Sequence, residues 1–165
     1  MHNPNYTFKY LLAFGSNQGD RTENLNTSLR LLQKHVFIVQ QSLWRKTEPL
    51  QHPKFDTSDH EYYINFVCEV ETVYAPLKLY KIITKIEDTI GHPRHRRWCP
   101  RELDIDILFC AKKTNSQFSL CEPFAFQKQP DFFVPHIEYY NRDFWRQMVE
   151  QDLCISKDFL AKHFL

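Results

Sequence analysis

Residues 76–110 read P-L-K-L-Y-K-I-I-T-K-I-E-D-T-I-G-H-P-R-H-R-R-W-C-P-R-E-L-D-I-D-I-L-F-C, and the switch of period inside this stretch decides the fold. Leu79, Ile82, Ile83, Ile86 and Ile90 recur at i, i+3, i+4 and i+7 spacing, the stripe of a helix with one buried face. Pro76 suits its first turn, and Gly91 followed by Pro93 suits its end. From residue 102 the period becomes two, with Leu103, Ile105 and Ile107 alternating against Asp104 and Asp106 over residues 102–110. This is a half-buried strand, and it projects both carboxylates from one face with Cα atoms about 7 Å apart. Between helix and strand lies a loop holding Arg94, Arg96, Arg97 and Arg101.

Working outward, residues 62–73 form another strand, with Ile64, Phe66, Cys68 and Val70 on one face. The apolar run at residues 8–14 ends at Gly15 and suits a buried strand that delivers the loop G-S-N-Q-G-D-R. Asp20 and Glu23 make a capping-box-like start to a helix whose Leu25, Leu29 and Leu32 share a face. Residues 36–46 read as a strand, and residues 47–60, rich in Pro, His and Asp, as a loop of functional length. The order is therefore β-α-β-β-α-β. That order predicts an α+β, ferredoxin-like antiparallel sheet with both helices packed on it. Beyond residue 115 a short strand at 118–126 and helices at 142–150 and 156–164 are expected as C-terminal additions. Residues 1–165 are expected to form one domain.

Composition narrows the class of function. At 165 residues, 42% hydrophobic, the chain is long enough to bury about 70% of its unfolded surface. The formal charge of +1 gives no general pull toward nucleic acid or a membrane, so anion binding must come from local clusters. No basic-then-apolar segment opens the chain and no run approaches a membrane span, so a cytoplasmic protein is expected. Five cysteines without a C-x-x-C pair predict reduced thiols. With three glycines in all, each is expected where a side chain cannot be accommodated.

The arginine loop and the Asp104–Asp106 pair together point to phosphate chemistry. Mg²⁺ takes oxygen ligands, typically one or two carboxylates plus substrate phosphates, and guanidinium forks match phosphate oxygens. Two carboxylates so close also repel each other, which predicts that removing either leaves the apo protein no less stable. Neither glycine-rich phosphate cradle, G-x-x-x-x-G-K-[ST] or G-x-G-x-x-G, occurs, which leaves arginine and magnesium to hold a nucleotide. His92 and His95 are poor transition-metal ligands amid that positive charge. Asn65 faces away from Ile64 and Phe66, and strand chemistry alone makes it an exposed polar residue.

The sequence resembles the 6-hydroxymethyl-7,8-dihydropterin pyrophosphokinases of folate biosynthesis over residues 8–144. It carries G-S-N-Q-G-D-R at 15–21, T-E-P-L at 47–50, Y-I-N at 63–65, R-W-C-P-R-E-L-D-I-D-I-L at 97–108, then V-P-H at 134–136 and N-R-D-F at 141–144. The resemblance implies mobile active-site loops and transfer of pyrophosphoryl from ATP to the pterin hydroxymethyl oxygen, giving AMP. It implies two Mg²⁺ ions on Asp104 and Asp106, and ATP contacts from Glu87, Arg94, Trp98, Arg101, Ile107, His136 and Arg142. Pterin contacts fall to Thr47, Pro49, Leu50, Asn65 and the rings of Tyr63 and Phe144. The chain departs from the family at His92, where an arginine is usual, at Cys99, usually glycine, and at Ile137. A protonated His92 can still supply catalytic charge beside Arg101. A monomer is expected, with association with other folate-pathway enzymes open. Two other classes fit less well. An RNA-binding ferredoxin-like module would need an aromatic strand motif that is absent, and a metal-dependent phosphohydrolase would use the aspartate pair alone.

Overall fold

The computed structural model describes residues 7–51, 54, 56–91, 99–114, 117–120, 124–126, 129–156, 158 and 160. The elements run β1 (Phe8–Ser16), α1 (Arg21–Leu32), β2 (Phe37–Gln41), β3 (Arg45–Thr47), β4 (Tyr63–Thr72), α2 (Pro76–Ile90), β5 (Asp104–Thr114), β6 (Gln117–Leu120), β7 (Phe124–Phe126) and β8 (Gln129–Val134). A 3₁₀ turn (Tyr139–Asn141), α3 (Asp143–Gln147) and a π-helical turn (Met148–Asp152) follow. The main sheet has the order β2-β4-β1-β5-β6, with β3 also pairing β4, and all these pairs are antiparallel. This is the ferredoxin-like arrangement.

Both helices form as the apolar stripes require. Asp20 caps α1 by accepting the Glu23 N–H at 3.0 Å, and Leu25 and Leu32 are fully buried. In α2, Leu79, Ile83 and Ile86 are buried, each worth about 1.5–3 kcal/mol. They pack with Leu12, Phe14, Phe66, Cys68, Leu103, Ile105 and Ile107 into one core between helices and sheet.

The opposite sheet face carries a second core. Leu11, Ala13, Val67, Leu108 and Phe109 pack there against Tyr139, Trp145, Met148, Val149 and Leu153. A bulge in β5 makes this possible: Leu11 faces Phe109 and Leu12 faces Ile107, leaving Leu108 as the extra residue. Leu108 and Phe109 then both belong to the second core. The C-terminal elements cover this half of the face and leave the other half, where β1 ends, open.

Several boundaries differ from the sequence expectation. The strand expected at 36–46 is two strands, because Ser42 Oγ accepts the Val67 N–H at 2.8 Å in place of a backbone carbonyl. The strand expected at 102–110 starts two residues later, since the Leu103 N–H goes to the Gly91 carbonyl at 3.1 Å, and it runs on to Thr114 in a hairpin with β6. The strand expected at 118–126 is two strands, and β8 was not legible because Pro130 lies within it. The helix expected at 142–150 is α3 continued by a π turn closed by Leu153 N–H to Met148 C=O at 3.0 Å. Of the helix expected at 156–164, residues 158 and 160 are described and helical.

Candidate active site

The open half of the second face is built on three neighbouring strands. Strand register sets Asn65, Gly15 and Asp104 in one row across β4, β1 and β5, and Val67, Ala13 and Asp106 in the next. The middle of each row is Gly or Ala, so the floor is flat. A Cβ added at Gly15 would lie 2.9 Å from Asn65 Oδ1, so glycine is needed for close approach. Above this floor is a cleft of about 200 Å³.

One end of the cleft is neutral. Asn65 is 6% exposed, not the exposed polar residue that strand chemistry predicts. Its Nδ2 donates to Thr47 Oγ1 at 2.7 Å, which fixes the amide and leaves Oδ1 facing the space over Gly15. Thr47, Pro49, Leu50, Tyr63 and Phe144 line the same cleft. Burial pushes the Tyr63 hydroxyl above its ordinary range, with Arg101 working the other way.

The other end is charged. Arg101 donates to Asp104 Oδ1 at 2.9 Å. Burial works against the Arg101 charge, but Asp104, Tyr63 and Asp106 more than compensate and hold its pKa above the usual value. His136 Nε2 lies 3.5 Å from Asp106 Oδ1. The bulge seats this residue, because the His136 backbone N–H donates to the Leu108 carbonyl at 2.9 Å. Its Nδ1 accepts the Glu138 N–H at 3.2 Å, so the proton sits on Nε2, facing Asp106. Burial alone would raise the Asp106 carboxyl; His136, then Arg142 and Arg101, bring it below the ordinary range. Arg142 lies 4.2 Å over the Trp145 ring. The two carboxylates are thus offset by cations, and the repulsion expected from their spacing is not the governing term. Among the described residues no group of three or more His, Cys, Asp or Glu side chains is placed to hold a metal. The all-oxygen Asp104–Asp106 pair on one strand face fits Mg²⁺, which draws its other ligands from phosphates and water.

The structure does not bring every expected residue into the cleft. Ile107 is in the core on the helix side of the sheet. Glu87 is buried at 4% exposure, with Oε1 accepting the Ile105 N–H at 2.8 Å. His92, Arg94 and Trp98 lie outside the described residues. Conversely, Glu48, Thr57, His60 and Trp145 line the cleft and were not singled out from sequence; the long 47–60 loop was the available signal for the first three.

Apart from Gly15 in the cleft floor, the G-S-N-Q-G-D-R loop works beside the cleft. Arg21 donates to the Tyr62 carbonyl at 2.9 Å, pairs with the Glu61 carboxylate, and lies 4.0 Å over the Tyr62 ring. These contacts bolt down the exit of the 47–60 loop just before Tyr63 and Asn65.

Comparison with known proteins shows the family. The family model for 7,8-dihydro-6-hydroxymethylpterin-pyrophosphokinase (HPPK) matches residues 11–151. The chain is 30% identical over 135 residues to the 2-amino-4-hydroxy-6-hydroxymethyldihydropteridine pyrophosphokinase of Haemophilus influenzae, covering 81% of this chain and 74% of that one. It is 33% identical over 135 residues to the bifunctional protein FolKE of Lactococcus lactis subsp. cremoris, covering 81% of this chain but 34% of that one. The HPPK-DHPS crystal structure of Plasmodium falciparum with pteroate shares the fold, with TM-score 0.62, 14% identity, and coverage of 99% of this chain and 43% of that one. Some relatives are therefore longer, two-function proteins of which this chain matches one part. The chain belongs to the 7,8-dihydro-6-hydroxymethylpterin-pyrophosphokinase family, the enzymes that transfer pyrophosphoryl from ATP to hydroxymethyldihydropterin in folate synthesis.

Proposed function

We propose that this chain carries out that transfer in the cleft over Gly15, with the pterin ring at its neutral end and the ATP phosphates at its charged end. The observation that carries the reading is the row Asn65–Gly15–Asp104, which sets a fixed amide and a metal-ligand carboxylate either side of a flat, glycine-floored slot. Asn65 reads the ring edge, Tyr63 and Phe144 enclose its faces, and Thr47, Pro49 and Leu50 close the remaining side.

Asp104 and Asp106 would hold two Mg²⁺ ions, which would supply Lewis-acid neutralisation of the phosphate charge. The reaction is in-line attack of the hydroxymethyl oxygen on the β-phosphorus, with AMP leaving. Arg101 and Arg142 present permanent positive charge where negative charge develops, a form of catalysis that rests on positioning and electrostatics. His136 is a donor at Nε2, which suits a contact to nucleotide and not the role of general base. Arg94 and Trp98 complete the nucleotide side on the strength of the sequence resemblance, which also names Glu87 and Ile107, whose side chains lie outside the cleft; His92, where the chain departs from the family, adds charge when protonated. Residues 1–165 form one domain in this reading, acting as a cytoplasmic monomer. Association with other folate-pathway enzymes is supported by the two-function relatives.

Chromatography of the nucleotides tests the reading. AMP appearing only when ATP, Mg²⁺ and 6-hydroxymethyl-7,8-dihydropterin are all present is the expected result. Phosphate released without pterin would make the protein a phosphohydrolase and overturn it.

A further inference from the structure

The Arg142 guanidinium is placed against an aromatic ring. Arg142 precedes α3 in extended backbone, with φ −107° and ψ 93°, and its carbonyl accepts the Trp145 N–H at 3.1 Å. That turn brings residue 142 over residue 145, and the guanidinium carbon lies 4.2 Å from the centroid of the Trp145 ring. The adjacent carboxylate, Asp143, is taken by Arg146. The Nε–H of Arg142 is buried and has no hydrogen-bond partner among the described residues.

The ring is itself held from two sides. Trp145 is 3% exposed and packs in the second core with Leu11, Ala13, Val67 and Leu108 of the sheet. The His136 ring meets it nearly at right angles, with centroids 5.1 Å apart and planes at 87°, a favourable edge-to-face geometry. Trp145 also lines the cleft beside Arg142 and Asp106.

The kind of partner has a chemical consequence. A carboxylate paired with Arg142 would occupy donors of the guanidinium fork and offset its charge, as Asp104 does for Arg101. A ring face attracts the cation through its quadrupole, most strongly for tryptophan, and takes up none of the in-plane N–H donors. The guanidinium is thus oriented while its charge and its fork stay available to phosphate oxygens.

We infer that Trp145 is a positioning residue for the nucleotide, orienting Arg142 toward the polyphosphate through the face of its ring. This rests on the substrate assignment proposed above.

The test is a double-mutant cycle of Trp145→Leu and Arg142→Met, read by calorimetry with Mg²⁺ and α,β-methylene-ATP and, separately, with the pterin. Trp145→Leu is expected to raise the nucleotide Kd about tenfold and the pterin Kd less than about threefold. Trp145→Phe keeps a weaker ring face and is expected to fall between parent and Trp145→Leu. In the Arg142→Met background either Trp145 substitution changes the nucleotide Kd by less than about threefold, because the cation that the ring holds is already gone. Losses that multiply in the double variant, a Phe variant no better than the Leu variant, or equal weakening of both ligands would make Trp145 a core residue only, and each overturns the inference. Trp145→Phe replaces one ring by another in the same place, so it carries the cycle if Trp145→Leu fails to fold; an unchanged nucleotide Kd in Trp145→Phe then overturns the inference. A parent that forms AMP while the losses multiply keeps the proposed reaction and loses only the role of Trp145.

Discussion

Gly15→Ala isolates the slot between Asn65 and Asp104 from the folding of the sheet. The new methyl would lie 2.9 Å from Asn65 Oδ1 and 3.6 Å from Tyr63 Cδ1, so it meets side-chain atoms and no backbone. Asn65 can yield only by rotating its amide, which is tethered to Thr47 at 2.7 Å. Loss of the amide's pairing with a heteroaromatic edge costs about 1–3 kcal/mol, which is roughly a 5- to 150-fold rise in pterin Kd. The unfolded chain loses freedom when Gly becomes Ala, a gain of about 0.4–1 kcal/mol that offsets part of the crowding. The melting temperature is therefore expected within a few degrees of the parent's. Calorimetry with pterin and with the magnesium nucleotide separately reads the outcome: pterin affinity falls and nucleotide affinity holds. An unchanged pterin affinity would refute the placement of the ring over Gly15.

Two further outcomes concern the charged end and one the loop beside the neutral end. Asp104→Ala abolishes turnover and, by stranding the half-buried Arg101 guanidinium, lowers apo stability by about 1–2 kcal/mol, between the values for surface and buried pairs; chemical denaturation measures it, and a stability gain would restore the repulsion argument. Arg21→Ala removes the bolt on Glu61 and Tyr62 and is expected to raise KM for pterin several-fold while kcat changes less, as steady-state kinetics at saturating ATP will decide. Chelation of Mg²⁺ stops turnover without changing the circular dichroism spectrum or the melting curve, because Arg101, Arg142 and His136 already offset the carboxylates; unfolding on chelation would make the metal structural.

The sequence made the sheet legible wherever periodicity was strong. Residues 76–90 announced a helix and 103–107 a strand because their buried positions recur with a clear period, and the Asp104–Asp106 face followed from the same alternation. The cleft's neutral end was not legible from chemistry, because Asn65 is tied to Thr47 across the β3–β4 pairing, a partner eighteen residues away. Only the family resemblance pointed to it. The bulge at Leu108, which seats His136 beside Asp106, leaves no signal in a run as uniformly apolar as I-L-F-C. Residues 115–134 resisted reading for the opposite reason, with Pro130 inside a strand and no sustained alternation. Asn17 belongs to a motif visible at once, but the Glu61 carbonyl and the Arg101 backbone N–H that its side chain bonds lie 44 and 84 residues away.

The most direct test of the account follows phosphorus from ATP labelled at the β position. Attack on the β-phosphorus predicts that the label moves to the pterin product in step with AMP formation, and that both events require Mg²⁺ and are lost in Asp106→Ala. Label retained on a nucleotide while the pterin becomes phosphorylated would mean attack at the γ-phosphorus, and would contradict pyrophosphoryl transfer at this site.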